Sequence, residues 1–151
     1  MRLGFRLKHH FFSAFREFFV HHHGSLEFRA KIFALVIAAN DKPPVESYIV
    51  VKDIGMNIYN GDEERSDLLM LSTKELIQKG KDNGFDIDLL VNSILKELKI
   101  IPRYAKKIDI KALRPLILLS HDQDTISYQE NILEFLQNTK EEILNKQIIE
   151  V

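Results

Sequence analysis

Apolar positions recur with a helical period along nearly the whole chain. Ile87, Leu90, Val91, Ile94, Leu95 and Leu98 stand at i, i+3, i+4, i+7, i+8 and i+11, one stripe of an amphipathic helix for which Asp86 is the N-cap. Phe28, Ile32, Leu35, Val36 and Ala39 repeat the pattern, as do Ile132, Leu136, Thr139 and Ile143, while Val50, Ile54 and Ile58 mark a stripe between them. Sustained alternation of period two is absent, and "YIVV" is too short to stand as a strand.

Boundary signals divide these stripes. Pro43 and Pro44 suit a helix's first turn, where a missing N–H costs nothing, and Gly61 and Gly80 mark stops. Ser72 with Glu75 and Ser127 with Glu130 have capping-box spacing, and Pro115, inside "ALRPLILL", predicts a kink or a restart. The spacing predicts seven helices, over roughly 4–23, 26–39, 44–59, 62–79, 86–99, 103–119 and 127–147. The fold class is all-α: one compact helical bundle in which residues 1–25 form a Phe-rich N-terminal helix and 26–151 the main helical domain.

Composition narrows the class. A chain of 151 residues with 45% hydrophobic and 28% charged residues builds one core without staples. With no cysteine, disulfides, thiolate metal sites and cysteine nucleophiles are excluded. The longest unbroken apolar run, Ile32 to Ala39, is far shorter than the roughly 18 to 20 residues that cross a bilayer. Arg16 and Glu17 interrupt any secretory signal in the N-terminal segment, so the expected compartment is the cytoplasm.

Twice an apolar helix ends in an acidic elbow: "FALVIAANDKPPVES", residues 33 to 47, and "LILLSHDQDTISYQE", residues 116 to 130. An apolar helix, a small-residue run, Asp, a turn and a Glu opening the next helix resembles the tellurite-resistance TerB-like family, including the helical domain of DjlA-type co-chaperones. There the element reads approximately Ala-Ala-x-Asp-Gly with a Glu downstream, in both halves of a bundle. "AAND" with Glu46 looks like the first copy and "SHDQD" with Glu130 like the second, and "KGKDNGFDIDLLVNSILKEL", residues 79 to 98, resembles the glycine-lysine-acidic lead into a middle helix of DjlA-type domains. The resemblance covers roughly residues 26 to 136. Lys42 stands where the family has glycine, and Thr125 follows Asp124.

Two readings of the elbow carboxylates stay open. Asp41, Glu46, Asp122, Asp124 and Glu130 cap helices and favour the positive end of the helix dipole, worth about 0.3 to 1 kcal/mol each. Alternatively they converge on a divalent cation such as calcium, which wants six to eight oxygens. An EF-hand is the poorer explanation, since "DQDTISYQE" has Asp at positions one and three but lacks the loop glycine and the glutamate at position twelve. A J domain is excluded because no proline follows a histidine, so a chaperone role would be that of an adaptor.

Charge is uneven although the net is -1: residues 1 to 31 hold six Lys/Arg against Glu17 and Glu27, giving +4 and leaving -5 for the rest. The same stretch holds seven of ten phenylalanines. On a helical wheel Leu7, Phe11, Phe12, Phe15, Phe18 and Phe19 share an arc of roughly 140 degrees, with Lys8 inside it and Arg6, His9, Arg16 and Glu17 largely opposite. Five half-buried rings amount to on the order of 500 Å² of apolar surface, an upper estimate of about 12 kcal/mol, so this face must be covered. Arg6, Phe11, Phe15, Arg16, Phe18 and Phe19 therefore pack on the bundle, dock a protein partner, or meet an anionic membrane surface at the inner face of the envelope, DjlA-type relatives being anchored there by an N-terminal segment. Nucleic acid is not expected, because the acidic remainder repels phosphate. His21, His22 and His23 favour the C-terminal dipole of the first helix or take up nickel or zinc adventitiously.

No Gly-x-Ser-x-Gly, His-Glu-x-x-His or phosphate-binding glycine loop organises the Ser, His and Asp present, so an enzyme is not expected. The expected function is a TerB-like interaction module, non-enzymatic, in envelope-stress physiology or as a chaperone adaptor. A cation-binding protein and a peripheral membrane protein are the alternatives, and oligomeric state is open.

Overall fold

The structure is a computed structural model that describes residues 24–82 and 86–150. The predicted helix 4–23, and with it Arg6, Phe11, Phe15, Arg16, Phe18 and Phe19, lies outside the described residues. Those residues form six α-helices and one 3-10 helix, with no strand among them: α1 Gly24–Ala38, α2 Glu46–Ile58, α3 Glu63–Asp82, α4 Ile87–Ile100, a 3-10 helix Pro102–Lys107, α5 Ile110–Ile117 and α6 Gln123–Glu150. The all-α bundle is as the periodicity predicts. Gly24 and Ser25, assigned by sequence to the N-terminal segment, are the first turn of α1.

The bundle is organised around α1. Ile32 to Ile37 are buried without a gap, together with Leu26, Phe28 and Ala30, so this helix is apolar on every side and must be enclosed. It packs against α3, α4, α5, α6 and the 3-10 helix, while α2 lies outside, on α3 and α5. Charge on α1 is confined to its first half, where Lys31 Nζ meets Glu97 Oε2 of α4 at 2.7 Å. At the same end Tyr104 of the 3-10 helix packs on Phe28, ring centroids 5.3 Å apart.

Asp residues start four of the helices. Asp62 accepts from Arg65 N, Asp86 from Asp88 N, Asp109 from Ala112 N and Asp122 from Thr125 N, at 2.9 to 3.3 Å. Each satisfies an orphan donor of the first turn. At the other end of α2, Asn60 and Gly61 take φ of 54° and 84°, and Gly61 N donates to Met56 O at 2.8 Å, the six-to-one bond that closes a helix with a left-handed residue.

Several boundary readings are corrected. Ser72 is fully buried in the middle of α3 and caps nothing, because apolar neighbours carry the helix through it. Ser127 lies inside α6, whose cap is Asp122, with Thr125 donating to it through both N and Oγ1 at 3.0 Å. Gly80 is helical, and α3 runs on to Asp82. The expected 103–119 helix breaks at Ile108 and Asp109, not at Pro115: both take extended backbone angles, Ile108 is buried and Asp109 caps the restart. Pro115 is held inside the short α5, two residues before its end.

The buried face of α2 is also displaced by one position. Ser47, Val51 and Gly55 are buried, and Val50 and Ile54 are only partly so. Small residues let α2 approach α3, since a Cβ on Gly55 would stand 3.1 Å from Ser66 Cα. Lys52 Nζ clamps the same pair, 3.0 Å from Asp67 Oδ1 and 3.4 Å from Glu63 Oε1. The hydrogen bond and charge of Asp67, with help from Glu63, raise the Lys52 ammonium above the ordinary lysine range.

Replacing Gly55 by Leu forces four more heavy atoms into the contact with Ser66. We expect a loss of about 1 to 3 kcal/mol in folding stability, the usual cost of overpacking. Urea unfolding of wild type and variant measures it, and an unchanged midpoint would mean that α2 does not need this close approach.

Candidate functional site

The two acidic elbows are joined by a buried relay of neutral groups. Asn40 N tightens the end of α1 by donating to Ile37 O at 3.1 Å, which withholds it from its ordinary α-helical acceptor, Val36 O. Gln129, 2% exposed on α6, donates from Nε2 to Val36 O at 3.0 Å. Its Oε1 accepts from Ser120 Oγ at 2.8 Å, and Ser120 belongs to the second elbow. One side chain therefore satisfies the end of α1 and fixes the α5–α6 turn against it.

The carboxylates of the elbows are employed separately. Asp122 is the α6 cap. Glu130 faces Arg114 Nη1 at 3.4 Å, both exposed. Asp41, exposed, lines a cavity of about 330 Å³ with Asn40, Ile77 and Lys81, where the lysine ammonium would oppose a bound cation. Glu46 and Asp124 are exposed in the first turns of α2 and α6, where they favour the dipole. Among the described residues no three His, Asp or Glu side chains are grouped to hold a metal ion. The five carboxylates expected as ligands are thus not grouped at one place among the described residues. His121, the one described histidine, is exposed.

The second feature is an apolar groove of about 230 Å³ between α4 and α6. Both helices pack on α1 and on the 3-10 helix rather than chiefly on each other. The 3-10 helix occupies the space between them near Phe28, and the groove opens farther along, where Leu35 of α1 forms its floor. Ile87 and Val91 line one wall, with Leu95, 37% exposed, one turn beyond them. Tyr128, Ile132 and Phe135, at i, i+4 and i+7 of α6, line the other. Asp88 and Asn131 stand at the rim.

Neither Gln129 nor the groove was named from the sequence. Gln129 stands in a polar stretch, between Tyr128 and Glu130 with Asn131 beyond, and no motif marks it. The groove has a legible half-signal, because Tyr128 and Phe135 widen the apolar stripe of α6 beyond what one neighbouring helix covers. The predicted stripe of α4 likewise divides: Ile94 and Leu98 are buried, whereas Ile87, Leu90 and Val91 are half-buried.

No helix among the described residues is long and apolar enough to cross a membrane. Comparison with known proteins returns no matching family model, no matching curated protein and no matching solved structure.

Replacing Gln129 by Leu leaves Val36 O and Ser120 Oγ without their buried partner. We expect a destabilisation of about 1 to 3 kcal/mol from stranding buried polar groups. Ser120→Ala, which removes one bond of the relay, should cost less, about 1 kcal/mol. Denaturant midpoints decide the order, and a Gln129→Leu chain as stable as wild type would show that the relay is not what holds the elbows together.

Proposed function

We propose that this chain is a non-enzymatic, TerB-like interaction module that binds a protein partner through the α4–α6 groove. The observation that carries this reading is the groove itself: large apolar side chains left half-covered on two helices, at helical spacing, over a buried floor. Such a surface fits an amphipathic helix whose anchors recur at i, i+3 or i+4 and i+7. Tyr128, 46% exposed, adds a ring of the kind that concentrates binding energy at interfaces. The TerB-like part draws on the two acidic elbows, which lie against each other through Gln129. A place in envelope-stress or chaperone-adaptor physiology follows from that resemblance.

A photo-crosslinking amino acid at position 135, introduced into the full chain in cells, should give a discrete protein adduct. Tyr128→Asp should abolish that adduct and leave the melting temperature nearly unchanged, as is usual for exposed positions. The same crosslinker at Glu142, an exposed position farther along α6, should give none. An identical adduct from position 142, or one that survives Tyr128→Asp, would overturn the groove as the binding surface.

A further inference from the structure

We propose that Asn60–Gly61 is a site of spontaneous covalent modification, at which opening of the α2 cap converts Asn60 into aspartate and isoaspartate and the isoaspartate keeps the cap from closing again. The substrate is the chain itself, and water is the only other reactant.

The structure singles Asn60 out from the other described asparagines. An asparagine side chain cyclises when the amide nitrogen of the following residue attacks its Cγ, so the side chain and that nitrogen must both be free to approach. Asn57, Asn92, Asn131, Asn138 and Asn145 lie inside α-helices, whose hydrogen-bond ladder fixes the following nitrogen. Asn40 Oδ1 already accepts from Lys42 N at 3.0 Å. Asn60 is exposed in the turn between α2 and α3, and its side chain makes no hydrogen bond to a described residue. The residue that follows it is glycine, with no Cβ to screen the nitrogen, and the space a Cβ would take at Gly61 holds no atom within 4 Å.

The folded turn holds the reaction back. Gly61 N gives its hydrogen to Met56 O at 2.8 Å, while Asn60 and Gly61 keep φ of 54° and 84°. The nitrogen attacks as its anion, and a hydrogen bond to a carbonyl opposes loss of that proton. It becomes available when the last turn of α2 frays, a local opening that costs far less than global unfolding.

In the opened turn Gly61 N gives up its proton and forms a bond to Asn60 Cγ. The Cγ–Nδ2 bond breaks, and Nδ2 takes up a proton and leaves as ammonia, so a five-membered succinimide remains. Water then adds to one of the two ring carbonyls. Breaking the new N–Cγ bond gives aspartate, and breaking the original peptide bond gives isoaspartate, whose main chain runs through Cβ and Cγ. The isoaspartate path to Gly61 is longer by one carbon, so Gly61 N loses its register with Met56 O. Either product also places a carboxylate at the negative end of α2, beside Asp62, Glu63 and Glu64. Farther back Gly55 still meets Ser66 and Lys52 still reaches Asp67, so the turn loosens while the two helices stay paired.

The test incubates the purified full chain in buffer and, in parallel, in urea that unfolds it. Trypsin releases residues 53–65, which hold Asn60, apart from residues 82–96, which hold a second Asn-Gly pair, Asn83–Gly84, outside the described helices. Enzymatic methylation of isoaspartate and fragment mass spectrometry then read position 60. We expect product at Asn60 in both incubations, several-fold slower in buffer, and none at Asn57 of the same peptide from the folded chain. Absence of product at position 60 of the folded chain when the unfolded chain is fully converted would overturn the site, and equal rates would overturn the gating by the cap. Asn60→Gly, which suits the positive φ and has no side-chain amide, should abolish the signal at position 60 and keep a urea midpoint near that of fresh wild type. Wild type enriched in isoaspartate at position 60 should unfold at lower urea, and an unshifted midpoint would overturn the loss of the cap.

Discussion

Everything in this bundle follows from one helix that cannot tolerate water on any side. An amphipathic helix needs one neighbour, but α1 buries six consecutive residues from Ile32 to Ile37 and so needs neighbours all round. That requirement sets the arrangement of α3, α4, α5, α6 and the 3-10 helix, each of which has an apolar stripe of its own to hide. It also explains where polarity is permitted on α1: Lys31 lies toward the end where α4 offers Glu97, and farther on no charge occurs before Asp41.

Enclosing a helix end creates a second requirement. The last carbonyls of an α-helix have no intrahelical partner, and in the bundle interior water does not supply one. Tightening of the final turn uses Ile37 O and leaves Val36 O, which Gln129 takes. A neutral amide suits this place better than a carboxylate, because a buried charge without a counter-ion costs far more than an amide with both ends bonded. The acidic residues of the elbows are accordingly on the outside, capping helices or facing Arg114, and the two elbows meet through the uncharged side chains of Ser120 and Gln129.

Sequence periodicity was sufficient for the helices because burial here is mostly one-sided, and one-sided burial leaves a 3.6-residue repeat. It was insufficient wherever a tertiary contact replaced a local rule. Ser72 with Glu75 has the spacing of a cap, yet flanking apolar residues bury it in mid-helix. The face of α2 turns toward Ser47 and Gly55 because small residues permit close approach, a choice that hydrophobicity does not record. Pro115 looked like the break, but the buried Ile108 and the capping Asp109 set it earlier. Of the candidate site, the elbows were legible as segments, whereas their link through Gln129 and the groove beyond them depend on which helices fail to touch. That is a property of the assembled bundle and leaves no pattern in a single strand of sequence.

The groove separates stability from recognition. Leu35, Ile94, Leu98 and Leu136 are buried and hold the bundle, while Val91, Tyr128 and Phe135, a turn or less away, are only partly covered. Full burial of a large apolar side chain is worth roughly 1.5 to 3 kcal/mol, and a half-covered one keeps much of that unrealised until something else covers it. The same helices therefore spend one edge of their stripe on folding and hold the other in reserve.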